Sequence, residues 1–151
     1  MTGSGNDFVF VDGRSTPLVF WTPERIRAVC ARQTGVGGDG LCIVEPSSVP
    51  GGVRLHYFNR DGRRAELCGN ASLCAARLSS WIELGSSEGV ILETDAGLIP
   101  ARALEDSDER AEILIGDVSG IVPADIELGQ GESHAHFVRV GVPHVVLQVE
   151  N

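Results

Sequence analysis

Cys68 stands in the run Glu66-Leu67-Cys68-Gly69-Asn70, directly before a stretch from Ala71 to Leu84 whose apolar residues recur at helical spacing. A thiol at the amino terminus of a helix feels the positive end of the macrodipole and the free N–H groups of the first turn, and both favour thiolate. Gly69 lets a ligand approach the backbone closely. Asn70 can cap the helix or hydrogen-bond a substrate, and a carboxylate would fit against the same amides. The chemistry these residues could perform is proton transfer by an activated sulfur beside an anion site. A second reading, a buried structural cysteine next to an ordinary helix cap, stays open on these residues alone.

The other reactive residue types carry weaker signals. Cys74 lies six positions beyond Cys68, nearly opposite it on the same helix, so its expected role is core packing. Cys30 and Cys42 sit inside apolar periodic segments and read as core thiols. No pair has the C-x-x-C spacing of a zinc knuckle, and four cysteines are too few for a disulfide scaffold. His134 and His136 alternate in a polar segment without a third ligand, so they read as surface residues and no metal is expected. His144 follows Pro143 at the mouth of a late strand, a place where a lone histidine is more often structural.

Composition removes whole classes of function. All 12 basic residues are arginine, and without a lysine amine there is no Schiff base for pyridoxal and no Walker-type phosphate loop. A net charge of -9 argues against a broad nucleic-acid surface, which needs clustered cations to replace phosphate counterions. No apolar run is long enough to span a bilayer and no secretory leader opens the chain, so the expectation is a cytoplasmic protein with a small-molecule partner.

Several elements must position Cys68. Phe8 to Val11 reads as a buried strand behind the loop Gly3 to Asp7. Thr22 caps and Pro23 opens a helix to about Gln33, with Ile26, Val29 and Cys30 on one face. Gly35 to Gly40 matches G-x-G-x-x-G, but it follows a helix and opens a strand, the reverse of a dinucleotide fingerprint. Strands are predicted over Leu41 to Val44 and Arg54 to Phe58, with a turn at Asn59-Arg60-Asp61-Gly62. The helix from Ala71 to Leu84 offers a stripe of Leu73, Arg77, Leu78, Trp81 and Ile82, with Gly85 as its stop. Val90 to Thr94 and Leu98 to Arg102 form a hairpin across Asp95-Ala96-Gly97, and Glu112 to Val118 is a further strand. Leu104 to Arg110 and Gly129 to Ser133 read as exposed loops. Gly5 to Val11 and Gly141 to Leu147 both place a glycine loop before a β-rich run, a weak internal echo.

Taken together, Gly3-Ser4-Gly5-Asn6-Asp7-Phe8, Gly35-Val36-Gly37-Gly38-Asp39-Gly40, Phe58-Asn59-Arg60-Asp61-Gly62, Cys68-Gly69-Asn70 and Gly141-Val142-Pro143-His144 resemble the diaminopimelate epimerase family, in family order across essentially the whole chain. The resemblance implies an α/β (α+β) fold: a strongly bent, mainly antiparallel sheet around a central helix, with a second similar domain and the site in the cleft between them. Residues 1–110 would form the first domain and 111–151 the start of the second, apparently truncated one.

It also implies a metal-free, pyridoxal-free epimerisation of LL-2,6-diaminopimelate to the meso form, for lysine and peptidoglycan synthesis, by two thiols on opposite faces of the α-carbon. Carried over by position, Cys68 is the first thiol, Gly69 and Asn70 contact the substrate carboxylate, Asn6 and Asn59 line the pocket, and His144 tunes the thiols. The second thiol would lie in the missing part of the second domain, so this chain is expected to be an incomplete enzyme, and a homodimer when full length. Gly40 stands where many members have glutamine, Val142 where many have a substrate-binding asparagine, and Ala71 and Leu73 where glycine and arginine are common. A racemase or isomerase of the same fold, or a non-catalytic amino-acid-binding half, is the alternative.

Overall fold

The structure is a computed structural model that describes residues 1–86, 88–105 and 109–150. The chain forms two compact units, Met1–Leu114 and Ile115–Asn151. In the first, the strands are β1 Thr2–Gly3, β2 Asn6–Asp12, β3 Gly40–Pro46, β4 Gly52–Asn59, β5 Arg64–Ala65, β6 Val90–Thr94, β7 Gly97–Ala103 and β8 Ala111–Ile113. The helices are α1 Pro23–Cys30 and α2 Gly69–Trp81. The sheet order is β1-β2-β3-β4-β6-β7-β8, with β5 paired to β4. Two neighbours, β2 with β3 and β4 with β6, run parallel and the other pairs are antiparallel.

β3 explains how the sheet takes helices on both faces. Gly40 to Val44 are all buried, and successive side chains of a strand point to opposite faces. Leu41 and Ile43 therefore join Phe58 of β4 and the α1 residues Ile26 and Cys30 in one cluster. Cys42 and Val44 join Phe8, Leu55, Tyr57 and the α2 residues Ala71, Cys74, Ala75 and Ala76 in the other. Helix α2 touches strands from β1 at one edge to β8 at the other, so the curled sheet wraps around it.

That enclosure corrects the expected buried face of α2. Its fully buried positions are small residues, among them Ala71, Ser72, Ala75, Ala76 and Ser79, whereas Trp81 is 56% exposed and Leu73 and Leu78 are only half-buried. A helix nested in a concave sheet must approach several strands closely, and small side chains permit that where a Leu and Trp stripe would hold it away. The helix also begins two residues earlier than its hydrophobic pattern predicts, and it ends at Trp81. Glu83, not Gly85, takes the left-handed conformation there (φ 57°), and the Leu84 amide closes back on the Ser79 carbonyl.

Helix α1 stops at Cys30, short of Gln33, because the glycine loop folds back on its end. Gly37 N–H donates to Val29 O and Gly38 N–H to Cys30 O, satisfying the last carbonyls. A Cβ on Gly35 would lie 2.2 Å from Ala28 O. The strand expected over Glu112 to Val118 is split: β8 ends at Ile113, and the second unit opens with β9 Ser119–Pro123. The acidic loop expected between Leu104 and Arg110 lies partly outside the described residues.

In the second unit, β9, β10 Glu132–Val140 and β11 Val142–Val149 form an antiparallel sheet ordered β11-β10-β9. Gly141 (φ 69°) turns β10 into β11, as Gly5 (φ 92°) turns β1 into β2, so each half of the sequence echo is the second strand of a glycine-turned hairpin.

Candidate active site

Strand register assembles one edge of the first unit. Phe8 of β2 is paired with Gly40 of β3, and Gly40 with Asn59 of β4, so the start of β2, the start of β3 and the end of β4 lie side by side. Asn6 sits two residues before Phe8, and Asp39 immediately before Gly40. The amino terminus of α2 closes the group, because Asn70 Nδ2 donates to Asn6 Oδ1 at 2.8 Å and Asn6 Nδ2 donates to Asp39 Oδ2 at 3.0 Å. Asn70, Asn6 and Asp39 thus form a directed chain in which each amide orientation is fixed by the next acceptor.

Asp39 anchors that chain. It also accepts from the Asp7 backbone N–H at 3.3 Å and from Arg32 Nη2 at 2.8 Å, while Arg32 forks onto both oxygens of Asp7 at 2.7 and 2.8 Å. The Asn6 and Asp7 donors, with Arg32, hold the Asp39 carboxyl down at about 2, and Arg32 pulls that of Asp7 down as well.

Cys68 is the N-cap of α2 in extended conformation, and its side chain makes no cap hydrogen bond. Asn70 therefore does not cap the helix; its amide goes to Asn6. The backbone carbonyl and hydroxyl partners of this turn are Cys68 O accepting from Ser72 N–H at 2.9 Å and from Ser72 Oγ at 3.0 Å. First-turn amides of a helix have no intrahelical acceptor, so those of Gly69 to Ala71 face the open end beside Cys68. Cys68 is half-buried, whereas Cys30, Cys42 and Cys74 are buried. Burial pushes those three thiols up, furthest at Cys42.

Asn59 is held from below: Tyr57 Oη donates to its Oδ1 at 3.0 Å. Tyr57 is buried in the α2-facing cluster, edge-on to Phe8 at 6.0 Å between centroids. Asn6, Asn59, Cys68, Gly69 and Asn70 are therefore gathered by β2, β4 and α2. His144 stands exposed on β11 of the second unit, opposite Val138.

The family model for diaminopimelate epimerase matches residues 1–121. The chain belongs to the diaminopimelate epimerase family. It is 43% identical to the diaminopimelate epimerase of Gemmatimonas aurantiaca, over 100% of this chain and 54% of that protein. It is 35% identical to that of Aquifex aeolicus, over 100% and 56%. The chain thus spans about half the length of the curated relatives it matches.

Among solved structures, a predicted epimerase from Pseudomonas aeruginosa superposes with a TM-score of 0.68 at 18% identity, over 96% of this chain and 54% of that one. A PhzF-family phenazine biosynthesis protein of Bacillus anthracis gives 0.64 at 17%, over 99% and 52%. These two likenesses establish the fold.

Residue spacing did not single out Asp39, Arg32 or Tyr57. Asp39 is the one charged residue within the glycine run, and Tyr57 is the only tyrosine of the chain, a polar tip inside an apolar strand. Those were the available signals. The partners that make them matter lie 25 to 33 positions away for Arg32 with Asp7 and for Asn6 with Asp39.

Proposed function

We propose that this chain supplies the first-domain half of a cofactor-independent epimerase acting on LL-2,6-diaminopimelate, with Cys68 as one of its two acid/base thiols. The carrying observation is Cys68 itself: a half-buried thiol at the open amino terminus of α2, beside the ordered Asn6–Asn70 amide pair, while the other three thiols are buried in cores. Membership of the family supplies the substrate. The α-carboxylate lies against the Gly69 and Asn70 end of the helix, with Asn6 and Asn59 along the pocket, and the first-turn amides offset its charge.

The Cys68 thiolate takes the α-proton and becomes a thiol; a second thiol on the opposite face gives its proton to the carbanion and becomes the thiolate. Charge and protons balance over the cycle, and the reverse turnover starts from the exchanged state. His144 tunes these thiols in the complete protein.

Two-face exchange needs that second thiol, and Cys30, Cys42 and Cys74 are buried in the first unit. Ile115–Asn151 is read as the opening of a second, pseudo-symmetric domain that carries it. The glycine-turned hairpin repeated in both units supports this reading, as do Val145, Val146, Leu147 and Val149, left 40% to 63% exposed for further chain to cover.

Deuterium incorporation at the α-carbon in deuterated water tests both statements. Exchange of LL-2,6-diaminopimelate is expected only when a complementary carboxy-terminal half is added, and it is expected to vanish in Cys68→Ala. Exchange by the Cys68→Ala assembly, or preference for proline or histidine over diaminopimelate, contradicts the proposed chemistry or substrate. Turnover by the 151-residue chain alone contradicts the two-half reading.

A further inference from the structure

Between the end of β5 at Ala65 and the start of α2 at Gly69 the chain passes through Glu66, Leu67 and Cys68 outside any strand or helix. β5 itself is two residues long and is paired only with β4, Arg64 opposite Phe58 and Ala65 opposite Tyr57. Ala65, Leu67 and Cys68 pack against the α2-facing cluster, but apolar contact is non-directional and does not by itself fix where a sulfur sits. The directional hold comes from the two-residue turn Asp95–Ala96 between β6 and β7. Ala96 N–H donates to Glu66 O at 3.2 Å, and Arg64 forks onto the Asp95 carboxylate, Nε to Oδ2 and Nη2 to Oδ1, the latter at 2.8 Å. One turn thus grips the approach to Cys68 by a side chain at Arg64 and by the main chain at Glu66.

That grip is braced on both sides. Arg54 of β4 donates to the same Asp95 carboxylate and to Glu93 Oε1 at 3.4 Å. Arg64 Nη2 also lies 2.9 Å from His56 Nδ1, and His56 Nε2 lies 2.7 Å from Glu45 Oε1. A guanidinium has only donors, so Nδ1 accepts and the ring proton sits on Nε2, directed at Glu45. His56 is buried, which keeps the ring from turning out to water. Arg64, and then Arg54, hold the Asp95 carboxyl below its ordinary value and so keep it an anion. Arg54 and His56 alternate along β4 with Phe58, which belongs to the α1-facing cluster, so the brace reaches the Cys68 segment from the sheet face opposite α2.

We propose that Asp95 and Arg64 are positioning residues: their ion pair, with the Ala96–Glu66 hydrogen bond beside it, clamps the segment Glu66–Cys68 and sets where the Cys68 sulfur sits at the start of α2. Its weight in catalysis rests on Cys68 being an acid/base thiol. The clamp itself does not, and it can be read without substrate.

The 151-residue chain labelled with carbon-13 at the cysteine β-carbons carries one reporter at the site and three controls, Cys30, Cys42 and Cys74. Asp95→Asn keeps the shape and removes the charge. In that variant the Cys68 signal should move while the other three stay, and the Ala96 amide should exchange with solvent about fivefold faster, the scale of a forked ion pair partly in water. Arg64→Lys keeps the charge and loses the fork, so it should displace the Cys68 signal in the same direction and less far. In the Arg64→Gln background, Asp95→Asn should add nothing to the displacement, because the partner is already gone. With the complementary carboxy-terminal half added, Asp95→Asn should lower kcat for α-proton exchange about tenfold and leave KM unchanged, since the α2 amides that take the carboxylate stay in place.

A Cys68 signal that keeps its place in both Asp95→Asn and Arg64→Lys, additive displacements in the double variant, or all four cysteine signals moving together overturns the clamp. A displaced Cys68 with kcat unchanged overturns its role in positioning the thiol. Exchange that survives Cys68→Ala sinks the proposed function and leaves the clamp, read on the Cys68 signal, standing.

Discussion

Asp39 shows how much of the site depends on one carboxylate that no spacing rule picks out. It fixes the Asn6 amide, which in turn orients Asn70, and it does so as an anion with its carboxyl held at about 2 against an ordinary 3.8. A depressed value means the folded state gains stability from the ionised form at all pH above the unfolded value, and loses it as pH falls from 3.8 towards 2. Asp7, held low by Arg32, and Asp95, held low by Arg64 and Arg54, act in the same sense. The urea midpoint should therefore decline with acidification across that window, and the acid limb should be shallower in Asp39→Asn. An identical limb in that variant would show that Asp39 has no such linkage. The placement of Cys68, Gly69 and Asn70 at a helix start was legible in the sequence because a helix start announces itself locally. Asp39 was not, since its importance comes from Asn6, Asp7 and Arg32, brought to it from 7 to 33 positions away.

At the scale of elements, α2 is where pattern and packing diverged. Amphipathic spacing predicts a face built on Leu73, Arg77, Leu78, Trp81 and Ile82; Arg77 is buried and Leu78 and Ile82 pack against the core, but the face the curled sheet takes most deeply is that of Ala71, Ala75 and Ala76, each at most 1% exposed. The two readings predict opposite sensitivities. Ala75→Leu should destabilise by about 1–3 kcal/mol, because added methylenes in a filled concavity force strands apart. Trp81→Ala should cost only about 0.5 kcal/mol, as expected of a side chain more than half in water. Urea unfolding of both variants decides between them, and a larger loss from Trp81→Ala would restore the amphipathic reading. The strands β2, β3 and β4 were located from sequence because buried runs bounded by turn residues are local signals. The end of α1 was not, because its carbonyls are capped by amides of a loop that returns over it.

For the molecule as a whole, the two units differ in what holds them. Met1–Leu114 has helices on both faces of β3 and two buried clusters. Ile115–Asn151 is a three-stranded sheet in which Ile121, Val122, Phe137, Val145, Val146 and Val149 are all exposed. A unit of about 40 residues seldom buries enough surface to be stable without a staple or a partner. Amides of β10 and β11 should therefore exchange with solvent faster than those of β3 and β4, and they should gain protection when a complementary carboxy-terminal half is added. Equal protection in the 151-residue chain would mean that the second unit is already complete in itself.

The sequence alone determined the chemistry that was possible. The absence of lysine sets the expectation of no pyridoxal and no Walker loop on this chain, the acidic balance that of no broad nucleic-acid face, and five motifs in order carry the family and the fold class. These are properties of residue type and short spacing, which a linear reading preserves. Tertiary structure alone decided which thiol remains accessible, which face of α2 is buried most deeply, and that Asp39 holds Asn6. Each of those depends on residues far apart in sequence being set side by side by parallel and antiparallel register and by the curl of the sheet around one helix. Contacts of that kind have no local signature, because neither partner's neighbours in the chain carry any trace of the other.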